Sequence, residues 1–200
     1  MVNAAEFNDP NYIRNPLNRC YFCKSNLYHT IALASDAVVF SGTNLDDLSD
    51  FRPGLEAARN YGVRHPFVEA GIDKQTVRDI ARILCLFDLA ELPASPCLSS
   101  RIETGIPIAR NTLGLINKVE NYVHQHMRLK GNTVRCRVRK GRVVIELDTE
   151  TLATSTFEQQ RLMSREIVQM LRAEGSDDPV EFAPYRRASA FLRQTSNGKK

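Results

Sequence analysis

No apolar run in the sequence approaches the ~20 residues a membrane span requires, which excludes a transmembrane helix. The N-terminus, Met-Val-Asn-Ala-Ala-Glu, has neither a basic start nor an apolar stretch, so no secretory signal is expected. A strong charge of one sign is lacking too. With 27 Lys and Arg against 23 Asp and Glu, the net charge is +4, which permits an anionic partner without demanding one. Cysteine is sparse and unevenly spaced. Five such residues do not make a secreted disulfide framework, so a reducing, cytoplasmic setting is expected, with thiols left for metal or sulfur chemistry. Internal repeats and low-complexity tracts are absent. What remains is an ordinary globular mixture, 42% hydrophobic and 25% charged over 200 residues, enough for one large domain or two small ones with their own cores.

The first half alternates short apolar runs with helical patterns. Cys20 to Ser35 reads as a helix with Leu27, Ile31 and Ala34 on one face, and Asp36 to Gly42 as a buried strand running into a loop. Pro53 to Tyr61 reads as a helix with proline at its start and Gly62 past its end. His65 to Ala70 reads as a second strand, and Asp73 as the cap of a helix carrying Val77, Ile80, Ala81 and Leu84 on one face. This alternation predicts an α/β fold with a parallel sheet over residues 1–94. Leu86 to Pro96 breaks the pattern and reads as a linker or active-site loop. Residues 95–200 read as a small α+β domain. It comprises a helix from Asn111 to Lys130 closed by Gly131, and strands Val134–Val138 and Val143–Leu147 joined as a hairpin. A helix follows, opened by a Ser155-x-x-Glu158 capping box and closed by Gly175, with a last strand at Val180–Phe182 and a polar tail after about Arg193.

Five constellations carry chemistry. Cys20-x-x-Cys23 sits in the first turn of a helix, where the helix end and the flanking Arg19 and Lys24 favour thiolates; a redox pair, half a zinc site, two cluster ligands or two core cysteines all fit. Pro96-Cys97-Leu-Ser-Ser-Arg101 places a thiol beside two hydroxyls and a cation. Arg101 would lower the thiol's pKa, and Ser99 or Ser100 would hold an oxyanion; the alternative is a plain loop with an incidental cysteine. Gly42-Thr43-Asn44-x-Asp46-Asp47 follows a strand, as a nucleotide turn would, with two carboxylates for Mg²⁺ through water, or it is an ordinary Asx-rich turn. Lys74 and Arg78 stand at the start of a helix, where cations oppose the dipole unless an anion lies between them; otherwise they are solvated surface side chains. Arg135, Arg137 and Arg139 alternate along one strand face, as phosphate ligands or as charges that blunt an edge. No aromatic residue is interleaved with them, which counts against nucleic acid. Cys85 and Cys136 read as core or strand residues, and the four histidines show no metal spacing.

Taken together, Asn15-Pro-Leu-Asn-Arg-Cys-Tyr-Phe-Cys-Lys24, Gly42-Thr-Asn-Leu-Asp-Asp47, Arg52-Pro-Gly54, Glu69-Ala-Gly-Ile-Asp-Lys74, Pro96-Cys-Leu-Ser-Ser-Arg101 and Gly105-Ile-Pro107 resemble the LarE-type ATP-dependent sulfur transferases. These are a branch of the PP-loop ATP pyrophosphatases, with an adenine nucleotide alpha hydrolase-like fold. The likeness runs from about Asp9 to Tyr185. It implies an enzyme that adenylates a carboxylate of a pyridinium nucleotide, releases pyrophosphate and passes in sulfur for a nickel-pincer cofactor. It implies Cys97 as the catalytic thiol; Cys20, Cys23 and Cys97 as ligands of a [4Fe-4S] cluster with one iron left for exogenous sulfur; Gly42, Thr43, Asn44, Asp46 and Lys74 around ATP and Mg²⁺; and Ser99, Arg101, Arg137 and Arg139 on the substrate phosphate. The superfamily's Ser-Gly-Gly-x-Asp-Ser loop does not occur here, and Glu91 stands near where the family usually carries lysine. The resemblance therefore implies a chain that begins midway through the ATP-binding domain. Catalysis is expected once the missing segment is supplied, and a second copy or a partner chain is expected to cover the open sheet. A PP-loop tRNA thiolase and a non-catalytic Fe–S or zinc remnant of the family are the alternatives.

Overall fold

The structure, a computed structural model, describes residues 2–92, 96–129 and 133–191. It is a mixed α/β chain that divides into two compact units, Met1–Ala94 and Ser95–Lys200. Among the described residues no helix is long and apolar enough to cross a membrane.

The first unit is built from short helices: α1 (Pro10–Ile13), α2 (Arg19–Ala34), α3 (Asp46–Ser49), α4 (Gly54–Asn60), α5 (Pro66–Glu69), α6 (Lys74–Ile83) and α7 (Phe87–Ala90). Asp9 caps α1 by accepting from Asn11 N at 2.8 Å, and its second oxygen accepts from Asn26 Nδ2 of α2 at 3.0 Å, which ties the two helices together. A small core forms where Tyr28 of α2 meets Ala57 and Ala58 of α4 and Val63, with Tyr21, Leu27, Ile31 and Val39 around it. Burial raises the Tyr28 hydroxyl's pKa. The absence of a side chain at Gly54 permits this approach. A Cβ there would lie 3.0 Å from Lys24 Cγ and 3.5 Å from the Cys20 carbonyl oxygen, so α4 begins pressed against the turn that carries the cysteines.

Both strands expected in this unit are different. Asp36 to Gly42 makes a single parallel bridge, Phe40 to Arg64, in place of a ladder. Val38 and Phe40 remain 58% and 57% exposed, so the run lacks the burial on both faces that stabilises a parallel strand. His65 to Ala70 turns into α5, because Pro66 fixes its own φ and donates no N–H, which suits a first helical position and not a ladder. The cap expected at Asp73 is present: its side chain accepts from Thr76 N at 2.7 Å. Leu86 to Pro96 contains α7, and Pro93 to Ser95 lie outside the described residues. Cys85, expected in the core, is exposed and sits at φ 57° just after α6. Cys85 N donates to Arg82 O and Leu86 N to Ala81 O, the paired bonds of a left-handed helix stop.

The second unit holds a three-stranded sheet in the order β1 (Val134–Arg139), β2 (Arg142–Leu147), β3 (Val180–Pro184), with α8 (Arg110–His126), α9 (Thr149–Thr154) and α10 (Phe157–Ala173). β1 and β2 pair antiparallel through a Lys140-Gly141 turn, with Gly141 at φ 73°, and β3 joins β2 in parallel. Alternation sorts the sheet into two faces. Val134, Cys136, Val143, Ile145 and Leu147 are buried on one face, and Ile116, Val119 and Val123 of α8 and Ile167 and Leu171 of α10 are buried with them. Arg135, Arg137 and Arg139 occupy the other face, with Glu146 directly opposite Arg135. The expected capping box is one residue later, at Thr156 and Gln159. Ser155 is engaged otherwise: it ends α9, where its hydroxyl donates to Leu152 O and accepts from Gln160 Nε2, both at 2.8 Å. The closure of α8 at Gly131 and the polar tail after Arg193 lie outside the described residues.

Candidate functional site

In the second unit, Cys97 is exposed and stands at the head of a short 3-10 turn, Leu98–Arg101. The turn is held from beneath by two arginines. Arg101 is 3% exposed. Its Nη1 donates to Pro96 O at 2.5 Å, to Cys97 O at 3.2 Å and to Ser100 Oγ at 3.2 Å. Its Nε and Nη2 make a two-pronged contact with Glu120 of α8, at 2.9 and 3.0 Å. Glu120 Oε1 also accepts from Cys136 N at 2.9 Å, which joins the turn, α8 and β1. Arg137 adds a second anchor, Nη1 to Ser100 O at 3.0 Å, while its Nε donates to Glu146 at 2.9 Å and its Nη2 to Arg186 O at 3.3 Å. A parallel bridge from Ile102 to Val138, with Glu103 N donating to Val138 O at 2.9 Å, fastens the far end of the turn to β1. The carbonyls of Pro96, Cys97 and Ser100 are thus all held by guanidinium groups, and the Cys97 thiol is displayed at the surface.

Ser99 and Ser100, within the turn, are themselves buried. Arg139 reaches Glu146 at 3.3 Å and Glu103 at 3.8 Å, and its buried Nε has no hydrogen-bond partner. Arg135 lies with its guanidinium 6.0 Å from the Tyr185 ring centroid. Burial, followed by the charge of Arg101, lowers its pKa. Four arginines thus share the cluster with Glu103, Glu120 and Glu146, an excess of one positive charge around the turn. The sequence reading missed these carboxylates: Glu120 sits 19 residues from Arg101 on a helix whose pattern reads as an ordinary amphipathic face. Cys136 is inert by comparison, since burial pushes its thiol well above the usual cysteine range.

In the first unit, Gly42 to Asp47 forms a turn stitched to the start of α6. Asp46 N donates to Asn44 Oδ1 at 3.1 Å, and Asn44 N to Asp47 Oδ2 at 3.2 Å. Leu45 N donates to Ile72 O at 3.1 Å, and Lys74 N to Asp46 Oδ2 at 3.0 Å. These bonds bring Thr43, Asn44 and Asp46 to the same end of α6 as Lys74, whose side chain is exposed. Arg52 pairs with Asp47 at 2.6 Å. Asp47 is therefore engaged at both oxygens, and Asp46 at Oδ2. A Cβ at Gly42 would meet nothing within 4 Å, so the fold leaves open space beside this glycine.

Cys20 and Cys23 are half-buried cysteines, in no disulfide, in the first turns of α2. Their spacing places them on one face, about 5–6 Å apart at Cβ, as neighbours one turn apart are. Arg19, buried beside them, donates from Nη1 to Asn15 Oδ1 at 2.9 Å, and Asn15 itself takes a left-handed turn at φ 53° to enter the helix. Among the described residues no three His, Cys, Asp or Glu side chains stand together as a metal site. None of Cys20, Cys23 and Cys97 is fully buried, and thiolate is the donor type that iron–sulfur clusters take.

No family model matches the chain. An uncharacterized protein of Synechocystis sp. is 41% identical over 156 residues, 76% of this chain and 57% of that protein. An uncharacterized protein of Methanocaldococcus jannaschii is 30% identical over 142 residues, 69% of this chain and 54% of its own length. Pyridinium-3,5-bisthiocarboxylic acid mononucleotide synthase of Lactiplantibacillus plantarum is 29% identical over 143 residues, 70% of this chain and 50% of that enzyme. The chain spans about half the length of the curated relatives it matches.

Proposed function

We propose that the chain carries the sulfur-transfer portion of an ATP-dependent transferase that replaces a carboxylate oxygen of a pyridinium mononucleotide by sulfur, in the assembly of a nickel-pincer cofactor. The observation that carries this reading is the exposed Cys97, at the head of a turn whose three carbonyls are held by Arg101 and Arg137. The 29% identity to a pyridinium-3,5-bisthiocarboxylic acid mononucleotide synthase supports the same substrate class.

The chemistry has two stages. A carboxylate oxygen of the substrate attacks the α-phosphorus of ATP and pyrophosphate leaves, giving an acyl adenylate. A sulfur nucleophile then attacks the acyl carbon, and AMP departs with one of the original carboxylate oxygens. Gly42, Thr43, Asn44 and Lys74 would bind the nucleotide, and Asp46 would meet Mg²⁺. The turn-holding contacts of Arg101 and Arg137 fix the direction of the Cys97 backbone, and the excess positive charge around the turn favours an anionic substrate. Arg139, whose Nε is uncommitted, would meet a substrate phosphate. Cys20, Cys23 and Cys97 would hold a [4Fe-4S] cluster, whose chemistry is to take up exogenous sulfide and deliver it. Ligation by these thiols predicts that anaerobic reconstitution with iron and sulfide gives a brown protein absorbing near ~400 nm. Alanine at any one of the three removes most of the colour, and a protein that stays colourless or binds one zinc contradicts the assignment.

The adenylation stage is tested by pyrophosphate release from ATP. With a Ser-Gly-Gly-x-Asp-Ser phosphate-loop segment supplied, release should depend on a carboxylated pyridinium mononucleotide and survive in Cys97→Ala. Release independent of that substrate, or none at all with that segment present, counts against the reading.

A further inference from the structure

Ser41 and His65 flank the single parallel bridge of the first unit. Ser41 N donates to Arg64 O at 3.0 Å and Arg64 N to Val39 O at 2.9 Å, so the two residues are held side by side by backbone bonds. Their side chains meet: Ser41 Oγ lies 2.7 Å from His65 Nδ1. Ser41 Oγ also lies 2.9 Å from Thr43 Oγ1. The result is a three-membered chain, imidazole to hydroxyl to hydroxyl, that ends in the turn 42–47. Arg64 and Glu69 stand beside it, and Glu69 also feels the charge of the His65 ring. Arg64 donates from Nε and Nη2 to Glu69, and that contact lowers the Glu69 carboxyl's pKa.

Each hydroxyl has one proton, so the state of Nδ1 fixes the direction of the whole chain. With Nδ1 bare, Ser41 gives its proton to His65. Thr43 must then give its own proton to Ser41, and offers only lone pairs to the space outside the turn. With a proton on Nδ1, His65 donates to Ser41, Ser41 donates to Thr43, and the Thr43 proton is released to point outward. The two states differ only in the neutral tautomer of the imidazole, with no net proton gained or lost.

We propose that His65, acting through Ser41, sets the hydrogen-bond polarity of Thr43 so that the turn selects an acceptor-only group, a phosphoryl oxygen of a nucleotide, when the proton sits on Nδ1. His65 is a positioning residue in this scheme, since it reaches the ligand only through two hydroxyls. The proposal rests on the reading of turn 42–47 as a nucleotide site. It goes beyond that reading in naming the residue that controls which ligand atoms Thr43 accepts.

The test uses the full chain labelled with ¹⁵N and titrated with Mg-ATP, with the tautomer of His65 read from its two ring-nitrogen shifts and affinity read by calorimetry. In the wild-type chain, ATP moves His65 to the Nδ1–H tautomer. Thr43→Val weakens ATP about tenfold, the worth of one hydrogen bond to a charged acceptor, and removes the tautomer response. Ser41→Ala removes the response as well, because the relay is cut in its middle. A wild-type chain that binds ATP without any change in the His65 tautomer overturns the proposal and leaves the nucleotide reading standing. So does a response that survives in Ser41→Ala, which would mean direct contact between ligand and imidazole. A wild-type chain that binds no ATP removes the nucleotide reading and this proposal with it.

Discussion

Replacing Glu120 by glutamine should loosen the turn that presents Cys97 while leaving the α8 surface unchanged. The carboxylate and the Arg101 side chain are 11% and 4% exposed, so their contact is a buried ion pair. Removing one partner of such a pair outright costs about 3–5 kcal/mol, because the other charge is left in a poor solvent. Glutamine keeps a carbonyl that can still accept from Cys136 N and Arg101 Nε. Its amide, however, turns a donor toward Arg101 Nη2, which now donates to Glu120 Oε2 at 3.0 Å. Roughly half of the full penalty is expected, about 2 kcal/mol. Because the chain divides into two units, a single global unfolding free energy is a poor reporter. Hydrogen exchange of the amides in 98–103 and 134–139 reads the effect locally. Faster exchange in both segments, with the amides of α2 and α4 unchanged, is the expected result. Arg101→Lys should act the same way, since an ammonium cannot span both carboxylate oxygens in the fixed fork of a guanidinium. Protection unchanged to within about 0.5 kcal/mol in Glu120→Gln would refute the claim that this pair holds the turn.

Two further outcomes concern the first unit. Cys85 occupies a left-handed helix stop where a Cβ is unfavourable, so Cys85→Gly should slow hydrogen exchange of the α6 amides by the equivalent of about 0.5–1 kcal/mol, and faster exchange there would contradict that account. The Thr76 N–H, and with it the cap of α6, lowers the Asp73 carboxyl's pKa. A carboxylate lowered in the folded state contributes stability above the ordinary aspartate range and loses it as pH falls through the lowered value. The Thr76 amide resonance should therefore follow a titration centred below that range, and Asp73→Asn should abolish it.

Much of the helical framework was legible because local signals agree with it. The apolar spacing of α8, the Asp73 cap of α6 and the Gly175 stop after α10 each depend on residues within a turn or two of one another. The β1–β2 hairpin was legible for the same reason, through its Lys140-Gly141 turn. The strands expected at 36–42 and 65–70 failed because apolar composition alone does not supply a neighbour. One run finds a single bridge, and the other is diverted by Pro66 into a helical turn. At the candidate site, the alternation of Arg135, Arg137 and Arg139 correctly put them on one face. Their engagement was hidden, because Glu120 and Glu146 come from elements distant in sequence and nothing local marks a buried carboxylate. Arg101 and Arg137 bind backbone carbonyls of the turn in addition to carboxylates, a role that period and spacing do not announce.

The central claim is that the Cys97 thiol is required for sulfur to reach an activated carboxylate. The direct measurement is mass spectrometry of a carboxylated pyridinium mononucleotide after incubation with the full chain, a supplied Ser-Gly-Gly-x-Asp-Ser phosphate-loop segment, ATP, Mg²⁺ and a sulfide source. The account predicts a product with one oxygen exchanged for sulfur from the wild-type chain and from Cys85→Ala, and none from Cys97→Ala. Sulfur incorporation by Cys97→Ala at the wild-type rate, or a substrate that remains fully oxygenated with the wild-type chain, would contradict it.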